Sequence, residues 1–308
     1  LCDEFKDVFA SKERLDPMKF PSLKLQVDKE AIAHHVYTVR SYPKYIETTA
    51  KDELSRLIKS GIIERVTEPS AWCAPSFFIP KPGSKNVRLI ADFSELSKFV
   101  KRPVHPFPCV ADILQKLEPT SKFYATLDAA KGYFQLELAE ESRHYTTFLT
   151  PYGRFRFLRL PMGMNSSGDH WCLASDMVIE GLIDTHKLVD DILCGAATPI
   201  ELYNRVREVL LRCRQHGMKL NRDKVQWGQK VTFAGHILHP GGVSPDSSKF
   251  QAILDFPQPK TVTDIRSFLG MCVQLSIGLC DLSHSTRPLN DLLKKDVAFI
   301  WTDAQEKA

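Results

Sequence analysis

The spacing of apolar positions predicts several helices along the chain. From Thr48 to Ser60 apolar residues recur at helical intervals, two threonines stand near the start as caps, and Gly61 follows as a stop. The clearest pattern runs from Thr198 to His216, with a threonine cap, a proline in the first turn and Gly217 at the end. The last part of the chain, from near Pro245, is also predicted to be helical.

Other segments show the alternation or the short apolar runs that are typical of strands. Residues from Phe123 to Asp128 alternate, which predicts a half-buried strand that ends in a carboxylate. Extended pieces flank the turn from Pro80 to Gly83 and predict a hairpin. Residues 187–194 and the segment QKVTFAGHIL are predicted to be extended as well. The first 40 or so residues have weak periodicity, so we expect an extension packed on the surface.

The composition is that of an ordinary folded protein. Of the 308 residues, 43% are hydrophobic and 25% are charged, which argues against disorder. No apolar run approaches the roughly 18 residues of a membrane span, and the N-terminus is acidic, unlike a signal peptide. We therefore expect an intracellular, cytoplasmic protein with no membrane partner. The eight cysteines are scattered without zinc spacing, so we interpret them as reduced thiols that mostly fill the core.

The net charge of +4 is too small by itself to indicate a nucleic-acid-binding protein. Its distribution is more informative. Basic residues outnumber acidic ones by six to two from Lys81 to Arg102 and by seven to two from Arg205 to Lys224, and arginines alternate with aromatic residues from Arg154 to Arg159. Any one of these stretches is equally compatible with solvated surface charge. Together they predict a track for phosphates.

Two adjacent aspartates, Asp190 and Asp191, lie between two short apolar runs in KLVDDILC. This arrangement predicts a tight hairpin with both acids at its turn. Two ionised carboxylates side by side among apolar residues repel each other and are costly to desolvate unless a cation neutralises them. A solvated turn is the simpler interpretation of any Asp-Asp pair, but the apolar flanks argue against it. We therefore predict a site for a divalent cation.

Mg²⁺ is the predicted cation, because it takes hard oxygen ligands and needs only one or two protein carboxylates. Asp128, at the end of its own strand, is the predicted third acid. Two metal ions about 4 Å apart can activate an attacking 3′-hydroxyl and stabilise a leaving pyrophosphate, provided that a further carboxylate bridges them. Mn²⁺ is the alternative ion.

Six ordered segments resemble the motif series of reverse transcriptases from gypsy-type LTR retrotransposons: LDAAKGYFQLEL, LPMGMNSSGDHW, KLVDDIL, KLNRDK, VTFAGHIL and IRSFLG. The resemblance runs from Ile62 to Trp301 and implies an α+β right-hand polymerase fold. The implied boundaries are an N-terminal extension (1–40), fingers (41–105 and 136–165), palm (106–135 and 166–240, the second part with the metal site), and thumb with the start of a connection to an absent RNase H domain (241–308).

The same resemblance implies roles for individual residues. Asp128 and Asp190 would hold both metal ions, with Asp191 as the accessory acid. The residues expected to bind the incoming dNTP are Lys81, Arg88, Lys131, Gly132, Tyr133 and Met162. The residues that match the primer grip are Phe233, Ala234 and Gly235.

Within the expected dNTP site, the backbone of Lys131 and Gly132 would cradle the triphosphate, where a glycine allows close approach. Tyr133 would lie under the sugar of the nucleotide. The thumb would follow the minor groove of the duplex.

Three positions depart from the family's commonest pattern. Leu188 stands where a tyrosine is usual, and Asn165 is followed by SSGDHW where the family usually has Ala-Pro-Ala-Thr-Phe-Gln. The second change touches the nucleotide pocket near Met162 and Gly163, so fidelity or nucleotide affinity is expected to differ. In the thumb, MCVQLSIGL replaces a segment that is usually rich in tyrosine and arginine.

The predicted function is RNA- and DNA-directed DNA polymerisation in retrotransposon replication, with dNTPs and a primed RNA or DNA template as partners. One alternative is a domesticated or decayed element that binds nucleic acid without catalysis. The presence of all three aspartates argues against it. Another is an intron-encoded reverse transcriptase, against which VTFAGHIL and SFLG favour the LTR group. The oligomeric state is left open.

Overall fold

The computed structural model describes residues 1–11, 15–274, 282–295 and 297–308. Most of MCVQLSIGL, the departing segment in the thumb, lies outside these residues. In chain order the strands are β1 (Ile63–Val66), β2 (Ala74–Pro80), β3 (Val87–Ala91), β4 (Phe123–Asp128), β5 (Phe148–Thr150), β6 (Gly153–Phe157), β7 (Thr185–Leu188), β8 (Asp191–Ala196), β9 (Gln226–Gly228), β10 (Val231–Phe233), β11 (His236–His239) and β12 (Gly242–Pro245). The α-helices are α1 (Glu47–Lys59), α2 (Ser94–Ser97), α3 (Val110–Lys116), α4 (Glu140–Arg143), α5 (Ser167–Ile179), α6 (Pro199–His216), α7 (Ser247–Leu254), α8 (Val262–Gln274), α9 (Leu282–Ser285), α10 (Arg287–Asp291) and α11 (Asp303–Glu306).

The first sheet has the strand order β1-β6-β5-β2-β3. The hairpin predicted around the proline turn is confirmed, because β2 and β3 pair antiparallel with Ile79 opposite Arg88. Helix α1 packs on β3 through its buried face, which carries Ala50, Leu54 and Leu57.

Helix α1 begins one residue earlier than predicted, and its expected threonine caps are wrong. A short 3₁₀ turn (Lys44–Ile46) leads directly into the helix, so Ile46 is the N-cap and provides no side-chain bond. Thr49 lies inside the helix and donates its hydroxyl to the Ile46 carbonyl at 2.9 Å. Gly61 does end the helix, with a φ of 61° that glycine adopts without strain.

The second sheet, β7-β8-β4-β9, is antiparallel throughout. Strand β4 was predicted to be half-buried, and this is wrong: its four residues 124–127 are all buried. Ala125 and Leu127 pack in the main core with α6, while Tyr124 packs with Phe233 in a second cluster on the other face. Both faces of β4 are therefore covered, and its last residue, Asp128, is held at the end of a rigid strand.

Helix α6 has the capping that its sequence predicted. The Thr198 hydroxyl accepts from the Glu201 amide at 3.2 Å, and the Glu201 carboxylate accepts from the Thr198 amide at 3.2 Å. Gly217 ends the helix in the left-handed conformation, with φ of 74°. The buried face of α6 covers β4 and β8.

The N-terminal segment was expected on the surface, but its apolar side chains are part of the main core. Phe5 is 0% exposed, and Val8, Met18 and Leu25 are also buried in that cluster. The spacing of these residues has no regular period because they contact α6 and loops far along the chain, not a neighbouring element.

The third sheet, β10-β11-β12, precedes the predicted helical region, where Ile265, Leu269, Leu289 and Leu292 form a separate small core. Within the described residues, none of the helices combines the length and apolar character required to cross a bilayer. Seven cysteines are described and all are free thiols, five of them buried.

Candidate active site

The ends of β4 and β8 bring the three predicted carboxylates together. Asp128 and Asp191 are direct cross-strand neighbours, and Leu188 pairs with Asp191 across the β7-β8 hairpin. Both acids were expected in the turn of this hairpin, but only Asp190 lies there, because Asp191 already begins β8. The Asp190 carbonyl accepts from the Ala129 amide at 2.8 Å, so the turn is bonded to the chain just after Asp128.

The turn that carries Asp190 is strained and supported from behind. Val189 has a φ of 53°, which is unfavourable for a β-branched residue. Its carbonyl accepts from the indole nitrogen of the fully buried Trp171 at 3.0 Å. A Cβ on Gly132 would overlap both Asp190 Oδ1 and the Trp171 ring. Only glycine therefore lets these groups pack, and this is a different reason from the phosphate approach inferred from sequence.

The electrostatics of the carboxylates favour a cation. The pKa of Asp190 is raised to about 6, chiefly by burial and then by the charges of Asp128 and Asp191. Burial and Asp128 likewise raise the pKa of Asp191. Asp190 Oδ1 is buried and has no hydrogen-bond partner among the described residues. Asp128 pairs with Lys224, whose Nζ lies 2.8 Å from Oδ2.

These residues fit a divalent cation. Within the described part of the chain, no three His, Cys, Asp or Glu side chains form a ready-made metal cluster. Mg²⁺ does not need one, because it usually binds one or two carboxylates and completes its shell with water and phosphate oxygens. An unpartnered buried carboxylate oxygen between two further acids is the kind of donor that such an ion would satisfy.

A cavity of about 460 Å³ opens beside Asp128 and Asp190. Five cationic side chains line it: Lys81, Arg88, Lys131, Arg56 and Lys224. The pKa of Lys131 is lowered to about 8, mainly by burial and also by the charges of Arg56 and Lys81, against the opposite effect of Glu53. Met162 contributes an apolar part of the wall. This concentration of positive charge, next to carboxylates, is suited to a polyanionic ligand.

A second cavity, of about 380 Å³, lies beside Asp128 and Asp191. Phe233 and Ala234, two of the predicted primer-grip residues, line it. Ala234 and Gly235 form the two-residue turn between β10 and β11, with φ of 49° and 78°, as expected for a type I′ hairpin. Asp128, Asp223 and Lys224 line both cavities, so the two spaces meet at the end of β4.

Two predicted nucleotide-binding residues lie behind the first cavity and not in its wall. Gly132 is buried beneath Asp190. Tyr133 is half-buried, with its ring 6.4 Å from that of Trp171. Burial, followed by the charge of Asp190, raises the pKa of Tyr133.

Sequence reasoning missed three residues of this site. Arg56 projects from α1 into the first cavity, and its Nη1 is buried without a hydrogen-bond partner in the described chain. Nothing in the pattern of α1 distinguishes it from a surface arginine. Lys224 lies within the KLNRDK motif, which was a usable signal, and Trp171 lies within SSGDHW.

The predicted phosphate track is only partly found. The stretch from Lys81 to Arg102 contributes Lys81 and Arg88 to the first cavity. Most arginines of the other stretches pair with acids of the same chain, as in the contacts Arg205–Asp184, Arg207–Glu4, Arg214–Asp7 and Arg156–Glu64. Apart from Lys224, which lines both cavities, these stretches serve mainly to hold the fold together.

The reverse transcriptase (RNA-dependent DNA polymerase) family model matches residues 79–238. The retrovirus-related Pol polyprotein from transposon 412 of Drosophila melanogaster is 27% identical over 318 residues, covering 100% of this chain and 25% of that protein. The transposon Tf2-3 polyprotein of Schizosaccharomyces pombe is 28% identical over 313 residues, covering 99% of this chain and 23% of that protein. The chain thus spans about a quarter of the length of these relatives.

Two solved structures show the same fold. The foamy viral protease-reverse transcriptase dRH in complex with ds DNA has a TM-score of 0.88 at 19% identity, over 99% of this chain and 54% of that chain. The foamy viral protease-reverse transcriptase in complex with RNA/DNA hybrid has a TM-score of 0.82 at 19% identity, over 99% and 42% respectively. The α+β right-hand fold with fingers, palm and thumb, predicted from the motif series, is confirmed.

Proposed function

This chain belongs to the reverse transcriptase (RNA-dependent DNA polymerase) family, and we propose that it extends a DNA primer with dNTPs along an RNA or DNA template. One observation carries the proposal. The three acids lie where a cation-lined cavity and a cavity beside the β10-β11 turn meet. This arrangement suits a reaction that joins a polyanionic substrate to a primer end.

We assign the first cavity to the incoming dNTP. A triphosphate carries several negative charges, and Lys81, Arg88 and Lys131 from separate elements would neutralise them as they converge on the same space. Arg56 adds a further cation, whose Nη1 has no hydrogen-bond partner among the described residues. Met162 would contact the base or sugar. The role of Tyr133 under the sugar of the nucleotide stays a prediction, and Tyr133 would act from behind the residues that line the first cavity.

We assign the second cavity to the primer terminus. The tight turn at Ala234 and Gly235 exposes backbone close to this space, and Phe233 anchors the turn in the core. A primer 3′-hydroxyl here and an α-phosphate in the first cavity would meet beside Asp128. Holding the 3′-hydroxyl and the α-phosphate side by side would itself raise the rate of nucleotidyl transfer, because the two groups would no longer need to meet by diffusion.

Asp128 and Asp190 are the proposed ligands of two Mg²⁺ or Mn²⁺ ions, with Asp191 as the accessory acid. When bound, these ions would activate the 3′-hydroxyl and stabilise the leaving pyrophosphate. The chain's own residues would orient the substrates, and Lys224 pairs with Asp128. The unpartnered Oδ1 of Asp190 supports this assignment.

We further propose that the first sheet belongs to the fingers (41–105 and 136–165) and the second to the palm (106–135 and 166–240). The helices after residue 241 would form the thumb. The related structures were solved with ds DNA and RNA/DNA hybrid, which supports both duplexes as partners of this chain. The transposon polyproteins among its relatives support a role in retrotransposon replication inside the cell.

Primer extension on poly(rA) with an oligo(dT) primer tests the proposal. Asp190→Asn keeps the size of the side chain but removes its charge, so extension should fall by several orders of magnitude while template-primer binding persists. Asp112→Asn, a change at an exposed acid on α3, should leave extension unchanged. Near-normal extension by Asp190→Asn would contradict the site. A wild-type chain that binds the template-primer but does not extend it would favour the non-catalytic alternative.

A further inference from the structure

The loop between α6 and Lys224 is held between two parts of the chain. On one side, Leu220 forms an antiparallel bridge with Ala129, and the Asn221 amide donates to the Asp128 carbonyl at 2.8 Å. On the other side, Leu220 forms a parallel bridge with Phe9. Its amide donates to the Val8 carbonyl at 2.9 Å, and its carbonyl accepts from the Ala10 amide at 2.9 Å. Three short segments therefore lie side by side: the residue after Asp128, Ala129, on one edge, the loop at Leu220 in the middle, and the N-terminal segment around Phe9 on the other edge.

Charged side chains reinforce this edge. Asp7 accepts two hydrogen bonds from the Arg214 guanidinium, at 2.8 and 2.6 Å. Lys219 Nζ donates to the Asp7 carbonyl at 2.7 Å. The Arg214 guanidinium also lies 4.2 Å from the centre of the Phe5 ring, which is fully buried. We call residues 1–11 the N-terminal clasp.

The clasp reaches the proposed dNTP site in two ways. Ala10 and Ser11 form part of the wall of the first cavity. The loop that the clasp holds also carries Lys224, which contacts Asp128. Leu220 is fully buried between the two edges, so displacement of the clasp would free one whole side of the loop.

We propose that the N-terminal clasp is a positioning element of the dNTP site, and that the Asp7–Arg214 pair fixes it there. This inference rests on the proposed polymerase function. An exposed ion pair contributes little to global stability, and in this pair the side chain of Arg214 is 38% exposed and that of Asp7 is 57% exposed. Its main effect is on the placement of the cavity wall and of Lys224, and not on folding.

Asp7→Arg tests the inference because it sets a cation against Arg214 and Lys219. We expect kcat/KM for dNTP to fall by ten-fold or more. The Kd for template-primer should stay within two-fold of wild type, and Tm should stay within about 2 °C. The exchanged pair Asp7→Arg/Arg214→Asp should recover most of the lost kcat/KM, and amide hydrogen exchange in residues 217–221 should rise in the single variant and fall back in the double one.

Glu141→Arg is the matched control. Glu141 pairs with Lys24 at 3.2 Å, so it is another exposed ion pair between the N-terminal region and the body, but it does not contact the loop. It should leave dNTP kinetics unchanged. Unaltered kinetics and exchange in Asp7→Arg, or a parallel fall of kcat/KM, template-primer binding and Tm, would overturn the inference. If the wild-type chain itself does not extend primers, the proposed function fails, while loop exchange still tests the clasp.

Discussion

At the scale of single residues, the position of Asp190 depends on side chains that carry no charge. Trp171 donates to the strained Val189, and Gly132 leaves room for both the indole and the carboxylate. Trp171 belongs to the SSGDHW segment of the sequence, and its indole supports the β7-β8 hairpin from within the core. The carboxylate is thus placed by packing beneath it.

Trp171→Phe should therefore impair turnover. The phenyl ring preserves most of the apolar contact but leaves the Val189 carbonyl without its donor, so the turn that carries Asp190 loses its support. We expect kcat for primer extension to fall by about ten-fold, or about 1.4 kcal/mol in transition-state energy. The free energy of unfolding should fall by about 1–3 kcal/mol, measured by urea denaturation.

The control for this change is Trp227→Phe, at a tryptophan that is 43% exposed on β9. It should alter neither kcat nor stability by a comparable amount. If Trp171→Phe extends primers at the wild-type rate, the indole hydrogen bond has no part in placing Asp190.

At the scale of elements, α6 covers β4 and β8 of the second sheet, whose ends carry the acids, so its stability affects the whole sheet. Its N-terminus is fixed by the reciprocal bonds between Thr198 and Glu201. Helix α1, in contrast, has no side-chain cap, because it continues from a 3₁₀ turn. Both helices have a threonine near the N-terminus, but only in α6 does its side chain cap the helix.

Thr198→Ala should lower the free energy of unfolding by about 1 kcal/mol, because two amides at the start of α6 lose their acceptors or their orientation. Thr48→Ala should be neutral or slightly stabilising, because alanine has the higher helix propensity and Thr48 is an internal position of α1. Urea denaturation of both variants checks this difference. Equal losses would show that the α1 threonine also acts as a cap.

Elements with a strong local pattern were predictable from the sequence, and those fixed by distant contacts were not. Strand β4, the β2-β3 hairpin and α6 follow from alternation, turn residues and caps within a few positions. The burial of Phe5 depends on residues such as Arg214, some 200 positions away. The acids were found because they interrupt apolar runs, whereas Arg56 joins the site only through the tertiary fold.

At the scale of the whole molecule, an irregular segment (101–109) lies between the strands of the first sheet and those of the second, and it is bonded to α5. Asp169, whose side chain is fully buried, accepts from Arg102 at 2.8 and 3.1 Å and from the His105 amide at 3.1 Å. His105 in turn lies 2.6 Å from Asp176 of the same helix. The junction between the two sheets is therefore held by a buried carboxylate, and its strength should depend on pH.

The hydrogen bonds from Arg102 lower the pKa of Asp169, although burial opposes them. Because the folded pKa is below the unfolded value of about 3.9, the charged form stabilises the fold above that value, and this contribution is lost as pH falls through the folded pKa. Between pH 7 and pH 3 wild type should lose this contribution to the urea-derived free energy of unfolding, while the raised pKa values of Asp190 and Asp191 act in the opposite direction in wild type and variant alike. The free energy of unfolding of Asp169→Asn should be below that of wild type at pH 7, and the gap between the two proteins should narrow as pH falls. Some pH dependence of the free energy of unfolding should remain in Asp169→Asn, because the pKa of Asp184 is also lowered. Burial raises the pKa of Asp184, but hydrogen bonds from His186 and Ser121 outweigh that effect.

Asp112→Asn, at an exposed acid, should reproduce the wild-type curve. Parallel curves for wild type and Asp169→Asn would mean that the Arg102 contact does not stabilise the junction in solution.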